Sequence, residues 1–354
     1  MNSIFKSKYL FISVLFMTTL FVMIYFGCDY HLKSFQRVVK LFDVKSRTKC
    51  QTKCQINCQT KPNSQLIENL SFNFNSSGFP FNVVPNMVHY ILFDVEDISF
   101  VHFVSLLSVM KNHKPDLIYI HCNCDQLSGD YYERALRIAN KTNTQIIVRT
   151  IERLTQIFGR KLSRKWLNWH SSDPTRIRIL MEFGGIYLDR DVYVVQSLDV
   201  FRKYEMSLSW DQIHNFENQL LIANRNARFL KLWLDSYHDY NPNQWYYNAG
   251  ELPTQRILKK RPELIHSVMR QFGSYAYDIC PLLYNSYYEN WEKDFYAFHL
   301  LIRGNELSMK DWCFQRRKVN IIQVFNEQNV RQLNVTFGQM SRIVFDFEKQ
   351  INSN

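Results

Sequence analysis

The 354-residue chain has no Gly-x-x-x-x-Gly-Lys-Ser/Thr loop to cradle a triphosphate and no Gly-x-Gly-x-x-Gly after its first strand to seat a dinucleotide. These absences set aside P-loop hydrolysis and dinucleotide redox chemistry. Nor is there a zinc finger, a helix-turn-helix, a dense Arg/Lys block or an internal repeat. The lack of a basic block matters because the chain is basic overall, with 43 Lys and Arg against 32 Asp and Glu and a formal charge of +11. Such a field attracts nucleic acid, acidic headgroups or phosphorylated small molecules. Only a modest cluster, Arg149 to Lys165, gathers the charge, so nothing favours a polynucleotide partner. Aromatic residues make up 15% of the chain, which argues against disorder. The length allows one large domain with extensions.

Charge is also missing from residues 9–28, YLFISVLFMTTLFVMIYFGC. As a helix this run spans roughly 30 Å, the thickness of a hydrocarbon core. A cleaved signal peptide is the rival, but the run is long for one and no small-x-small cleavage site follows. The expectation is a short cytoplasmic tail (1–8), a transmembrane signal anchor (9–28) and a stem (29–78) rich in Lys, Gln, Asn and Ser. The stem closes near Gly78 and Pro80. Asn69, Asn75, Asn140 and Asn334 head N-x-S/T triplets, each weak alone. Cysteines at 28, 50, 54, 58, 122, 124, 280 and 313 total eight, an even number that fits an oxidising compartment. The run Cys50, Cys54, Cys58 lacks a nearby fourth ligand for zinc. Spacing does not give the disulfide pairing.

Beyond the stem, apolar runs alternate with helical patterns. Residues 83–94, 115–123 and 144–150 read as strands; 100–113 and 131–140 read as helices. This alternation predicts an α/β fold with a mostly parallel central sheet and right-handed crossovers. In SSDPTRIRILMEFGG (171–185), Asp173 suits an N-cap, Pro174 the first helical turn, and Gly184-Gly185 the stop. Asp173 and Arg176 then share a face, and Ile177, Leu180 and Met181 form a packing stripe. IYL continues as a short strand. Segments 217–240 and 251–270 read as mostly helical, and 321–325 and 341–347 as strand-like.

The strand 186–188 runs directly into Asp189-Arg190-Asp191. On an extended backbone residues i and i+2 point the same way. Both carboxylates can therefore face the crevice at the strand's C-terminal end, where open α/β sheets bind ligands. The bland alternative is a polar loop balanced by Arg190. Two hard oxygen ligands with open positions suit Mn²⁺, or Mg²⁺, shared with substrate phosphates. With no triphosphate loop and no dinucleotide fingerprint, a diphosphate-containing donor is the natural partner.

The stretch SSDPTRIRILMEFGGIYLDRDVYVVQSLD (171–199) resembles the signature of glycosyltransferases with a sugar-binding region containing a DXD motif. Ser172-Asp173, Arg176, Gly184-Gly185-Ile186-Tyr187 and Asp189-x-Asp191 match that pattern in order and spacing. VPNMVHYILF (84–93) resembles the family's opening strand, and weaker similarity continues to about residue 304. The family is similar to initiating mannosyltransferases, α1,4-galactosyl- and N-acetylglucosaminyltransferases, and clostridial glucosylating toxins. The resemblance implies a GT-A type fold over 79–348 as catalytic domain. It also implies a UDP-linked or GDP-mannose donor, a divalent cation, retention at the anomeric carbon, and a glycan or glycolipid acceptor. It further implies a single-pass type II Golgi membrane location with the catalytic domain lumenal; self-association is left open.

By the same resemblance Asp189 touches the ribose and a metal-bound water, Asp191 ligates the metal, and Asp173 and Arg176 hold sugar hydroxyls. Asn218 resembles an asparagine found near the sugar, and His299 a late histidine completing the metal or diphosphate shell. His89 falls in the nucleotide region, against a plain structural role. Many relatives carry a Trp three residues after this histidine to stack on uracil; Leu92 stands here, leaving Phe93 or Tyr90, on opposite faces, for the base. His170 is a further donor contact or a helix-flanking residue. Trp210 and Trp245 are acceptor-groove or core aromatics. Asp235, Glu251 and Asp294 cannot be ranked as a base. Two other accounts compete with the transferase: a membrane-tethered binding protein without turnover, and a sugar-nucleotide hydrolase.

Overall fold

The computed structural model describes residues 74–303, 306–307 and 324–353. The 9–28 run, most of the expected stem, Asn69, and Cys28, Cys50, Cys54, Cys58 and Cys313 lie outside them. Among the described residues no helix is long and apolar enough to cross a membrane.

The alternating runs fold as β1 (Met87–Leu92), α1 (Phe100–Asn112), β2 (Leu117–Cys122), α2 (Asp130–Lys141) and β3 (Gln145–Thr150). A small hairpin follows, β4 (Gln156–Ile157) with β5 (Arg160–Lys161), and then α3 (Leu167–Phe183), β6 (Gly185–Leu188) and β7 (Val192–Val194). Next come β8 (Met206–Ser209), β9 (Glu217–Ala223), α4 (Arg228–Asp235), β10 (His266–Val268), α5 (Ala276–Tyr284) and β11 (Ala297–His299). The last long helix, α6, is Thr336–Ser353.

The main sheet runs β10-β8-β9-β6-β1-β2-β3. Neighbours are parallel except at β9, which lies antiparallel to both β6 and β8. Mostly parallel is therefore correct, with one reversed strand beside the predicted acidic one. Alternation along β6 sorts the core: Ile186 and Leu188 join the layer built on α1 and α6, while Tyr187 joins the layer containing Ile177, Leu180, Phe229 and Trp233. Both faces are covered, as a sheet of this kind requires.

Several expectations need correction. Segment 217–223 is strand β9 rather than helix, because a short apolar run carries no period that separates the two. Residues 341–347 lie inside α6, where Met340, Val344 and Phe345 bury one stripe. Segment 251–270 holds only short helical turns and ends in β10. Helix α3 begins at Leu167, so Asp173 is an interior residue and not the N-cap. Pro174 is therefore interior too. It has no N–H for the turn before it, and nearby hydroxyls serve that turn: Thr175 Oγ1 donates to the Ser171 carbonyl at 2.7 Å and Ser172 Oγ to Trp169 at 3.0 Å.

Asn75 is buried, donating to the Glu263 carbonyl at 3.0 Å and accepting from the Glu205 N–H at 3.0 Å. Its amide is thereby engaged with the folded body. Asn140 and Asn334 are exposed. Cys122 pairs with Cys124, and Cys280 is also disulfide-bonded.

The α3–β6 turn depends on glycine. Gly185 sits at φ +108°, and a Cβ there would approach the Met87 carbonyl oxygen to 2.8 Å and His89 Nε2 to 2.9 Å. Gly185→Ala is thus expected to cost on the order of 1–3 kcal/mol from backbone strain alone. Urea unfolding measures this, and an unchanged midpoint would contradict it.

Candidate active site

At the end of β6 the chain leaves the sheet. The Asp189 N–H donates to the Gln219 carbonyl at 2.8 Å, and the Val192 N–H closes a turn onto the Asp189 carbonyl at 3.0 Å. The two acids therefore converge through a tight turn, not through strand alternation as the spacing predicts. Asp191 is buried. Its Oδ2 accepts from the Ile302 N–H at 3.0 Å and its Oδ1 lies 3.3 Å from His299 Nε2. The antiparallel pairing of β11 with β7 sets His299 opposite Val192, one residue past Asp191. One ligand atom from each of Asp189, Asp191 and His299 falls within 4.8 Å of the others. Burial alone would raise the Asp191 pKa, but His299, Arg190 and the Ile302 N–H together reverse it and the net shift is downward. Burial likewise opposes charge on His299, yet the Asp191, Asp189 and Glu217 carboxylates together raise it to about 8. Two oxygen donors and one imidazole with open positions fit a divalent cation such as Mn²⁺ or Mg²⁺.

Beside this cluster α3 supplies Asp173 and Arg176. The buried guanidinium lies 3.0 Å from Asp173 and 3.3 Å from Asp189, and donates to Asn218 Oδ1 at 3.1 Å and the Asn218 carbonyl at 2.8 Å. It also stacks 4.5 Å over the Tyr187 ring, whose hydroxyl donates to Asp189 at 2.6 Å. Asn218 Nδ2 completes the loop onto Asp173 at 3.2 Å. Burial pushes the Asp173 carboxyl up to about 6 against the pull of Arg176. Arg176 stays charged: burial opposes it, but Tyr187, Asp189 and Asp173 prevail.

All these groups line one cavity of about 420 Å³, together with Phe93, Trp169, Arg190, Glu217, Gln219, Trp245, Tyr246 and Arg303. That size suits a small-molecule ligand. Among the candidates for the base, Phe93 reaches the cavity; Tyr90 faces the core, bonded to Ser105 Oγ at 3.0 Å. Arg190 lines the cavity with the acids on either side of it.

His89 does not line the cavity. It is fully buried, with Nε2 2.8 Å from the Gly184 carbonyl and Nδ1 3.1 Å from His121 Nε2. A carbonyl only accepts, so His89 donates from Nε2 and receives at Nδ1. Burial lowers its pKa to about 4. This histidine ties β1 to the glycine turn, a structural role. His170, inside α3, contacts Tyr240 Oη at 2.5 Å and donates to the Trp245 carbonyl at 3.1 Å, so it supports the rim from behind. Trp210 is core, its Nε1 donating to the His214 carbonyl, whereas Trp245 is 48% exposed at the cavity mouth.

Sequence reasoning missed Glu217, Gln219, Trp169 and Arg303. Glu217 and Gln219 flank Asn218 in ENQ, and that adjacency was the available signal. Nothing local marks Trp169 and Arg303, whose guanidinium lies 4.5 Å over the indole.

Residues 102–208 match the sequence profile of the glycosyltransferase sugar-binding region containing the DXD motif, a span that includes Asp173, Arg176, Asp189 and Asp191. Over that span the chain is similar to that family. It is 25% identical over 237 residues to glucan organizing enzyme 1 of Cryptococcus neoformans var. grubii, covering 55% of this chain and 62% of that one. Over 127 residues it is 32% identical to lactosylceramide 4-alpha-galactosyltransferase of Rattus norvegicus, covering 35% and 34% respectively. The chain thus spans less than two thirds of either relative. Among solved structures, the glycosyltransferase GlyE of Streptococcus pneumoniae aligns with 76% of this chain and 64% of its own at 13% identity and a TM-score of 0.44. The similarity to glycosyltransferases rests on these sequence matches.

Proposed function

We propose that this chain is a cation-dependent, retaining glycosyltransferase that moves a hexose or N-acetylhexosamine from a UDP-linked donor to a glycan or glycolipid acceptor. The observation that carries the proposal is the meeting of two groups of side chains in one cavity. One is the Asp189, Asp191 and His299 cluster; the other is the Asp173, Arg176 and Asn218 network.

A divalent cation held by Asp189, Asp191 and His299 would supply Lewis acidity for the departing diphosphate. The chain's own residues do the rest. Arg176 positions: its donors are committed to Asn218, Ser172 and the acids, so it fixes the carboxylates that meet the donor. Asp173 offers an acceptor to sugar hydroxyls, and Asn218, bonded to both Arg176 and Asp173, holds it in place. Phe93 and Ile91 form the apolar wall for a base, and Trp245 offers an exposed ring for stacking on an acceptor sugar. Similarity to a 4-alpha-galactosyltransferase supports a UDP-linked donor, while Leu92 in place of a stacking tryptophan keeps GDP-mannose in the test.

The full-length protein is offered UDP-galactose, UDP-N-acetylglucosamine, UDP-glucose and GDP-mannose, each with Mn²⁺ or a chelator. The expected result is cleavage of one UDP-sugar that stops on chelation. Cleavage of none, or cleavage indifferent to chelator, overturns the reading.

A further inference from the structure

One cavity carboxylate has no role in that account. Strand β9 pairs regularly with β6 up to Leu220 opposite Leu188. Against β8 the register breaks: Leu208 faces Leu221, yet the next residue, Ser209, faces Glu217. The extra residues on β9 form a bulge, a device that re-aims side chains next to sites. Here it turns Glu217, Asn218 and Gln219 together into the cavity. Asn218 is spent on Arg176 and Asp173, and Gln219 donates to Ser274 Oγ.

The other cavity acids are also engaged. Asp173 meets Arg176 and Asn218, Asp189 meets Tyr187 and Arg176, and Asp191 meets Ile302 and His299. Among these acids, the Glu217 side chain alone makes no hydrogen bond or ion pair to a described residue. Its oxygens are not sealed from solvent but open onto the cavity, where a ligand can reach them.

Resting on the transferase reading, we infer that Glu217 is the acceptor-side catalytic residue: its carboxylate binds the attacking hydroxyl of the acceptor and takes its proton. The acceptor oxygen bonds to the anomeric carbon on the same face from which the diphosphate departs, so that configuration is retained, and the carbon–diphosphate bond breaks with its electron pair leaving on the diphosphate. The proton ends on Glu217 and passes to solvent when product departs. No oxidant or further reactant is needed. Burial pushes the Glu217 carboxyl up to about 7, against the opposing charge of His299, which suits a base working near neutrality. The groups acting on it are His299 on β11, Asp211 and His214 in the loop before β9, and the phenols of Tyr246 and Tyr275. A base must be ionised, so transfer rises as pH climbs through about 7.

The test uses full-length wild type, Glu217→Gln and Glu217→Ala, with the donor that wild type cleaves and methyl glycosides of galactose, glucose, N-acetylglucosamine and mannose as acceptor probes. Expected for E217Q is a loss of transfer of about 10²–10⁴-fold, with Mn²⁺-dependent UDP binding and melting temperature retained and the rise through pH 7 abolished. Formate should restore part of the transfer by E217A, which a merely structural role would not allow. Transfer by E217Q within about threefold of wild type, or a variant that loses UDP binding with its activity, overturns the assignment; one unit of pH slope corresponds to a tenfold rate change and is readily seen. Wild type that hydrolyses donor but glycosylates no probe also overturns it. Wild type that cleaves no donor fails at the earlier step and sinks the transferase reading itself.

Discussion

Asp191→Asn is expected to abolish cation-dependent turnover, lowering it by at least about 100-fold, while the protein stays folded. The substitution keeps the side chain's shape and an oxygen to accept the Ile302 N–H, so the backbone contact that locks the turn survives. What disappears is the negative charge 3.3 Å from His299. That charge is one of two in the cation cluster, and it also holds the His299 ring in place. Hydrogen bonding to the retained amide limits the stability change to about 1–2 kcal/mol. Isothermal titration of Mn²⁺ separates the effects: affinity should fall with turnover, while the thermal midpoint moves little. A D191N protein that binds Mn²⁺ and turns over like wild type would return Asp189-Arg190-Asp191 to a plain polar turn.

The acidic pair was legible in the sequence because its context is local: a glycine stop, a three-residue apolar strand and two carboxylates in eight residues. The partnership of Asp173 with Arg176 was legible for the same reason, since three residues on a helix are neighbours whatever the helix's ends. Where the helix starts was not. Ser-Ser-Asp-Pro has every mark of an N-terminus, and only packing of the preceding turn, through His170 onto Tyr240 and Trp245, extends the helix back to Leu167. The nature of β9 was hidden because its apolar run fits strand or helix equally. Tertiary pairing between β6 and β8 decided it.

That miss had a consequence at the site. Read as a helix, 217–223 spreads Glu217, Asn218 and Gln219 around an axis. As a bulged strand end it delivers all three to one cavity. Phe93 and Tyr90 show the complementary case, because alternation placed them on opposite faces correctly but could not say which face met the ligand. His89 sits one residue before Tyr90, and the same strand carries it to a buried tie with Gly184.

Arg176→Ala is the substitution expected to damage the fold as well as the reaction. The guanidinium is 3% exposed and contacts two carboxylates, Asn218 and the Tyr187 ring. Its removal strands the Asp173 carboxylate in a buried site, and breaking a buried pair this way costs about 3–5 kcal/mol. Arg176→Lys keeps the charge but lacks the planar fork that reaches Asn218 and both acids together, so it should recover only part of the loss. The double variant D173N/R176A removes both buried charges. It should therefore be more stable than R176A alone, although neither would transfer sugar at a measurable rate. Urea unfolding of the four proteins reads these differences directly. The expected order of stability is wild type, R176K, the double variant, R176A. R176A within about 1 kcal/mol of wild type, or a double variant less stable than R176A, would show that Arg176 is not the keystone of the Asp173, Asp189 and Asn218 network and that the site is held by the sheet alone.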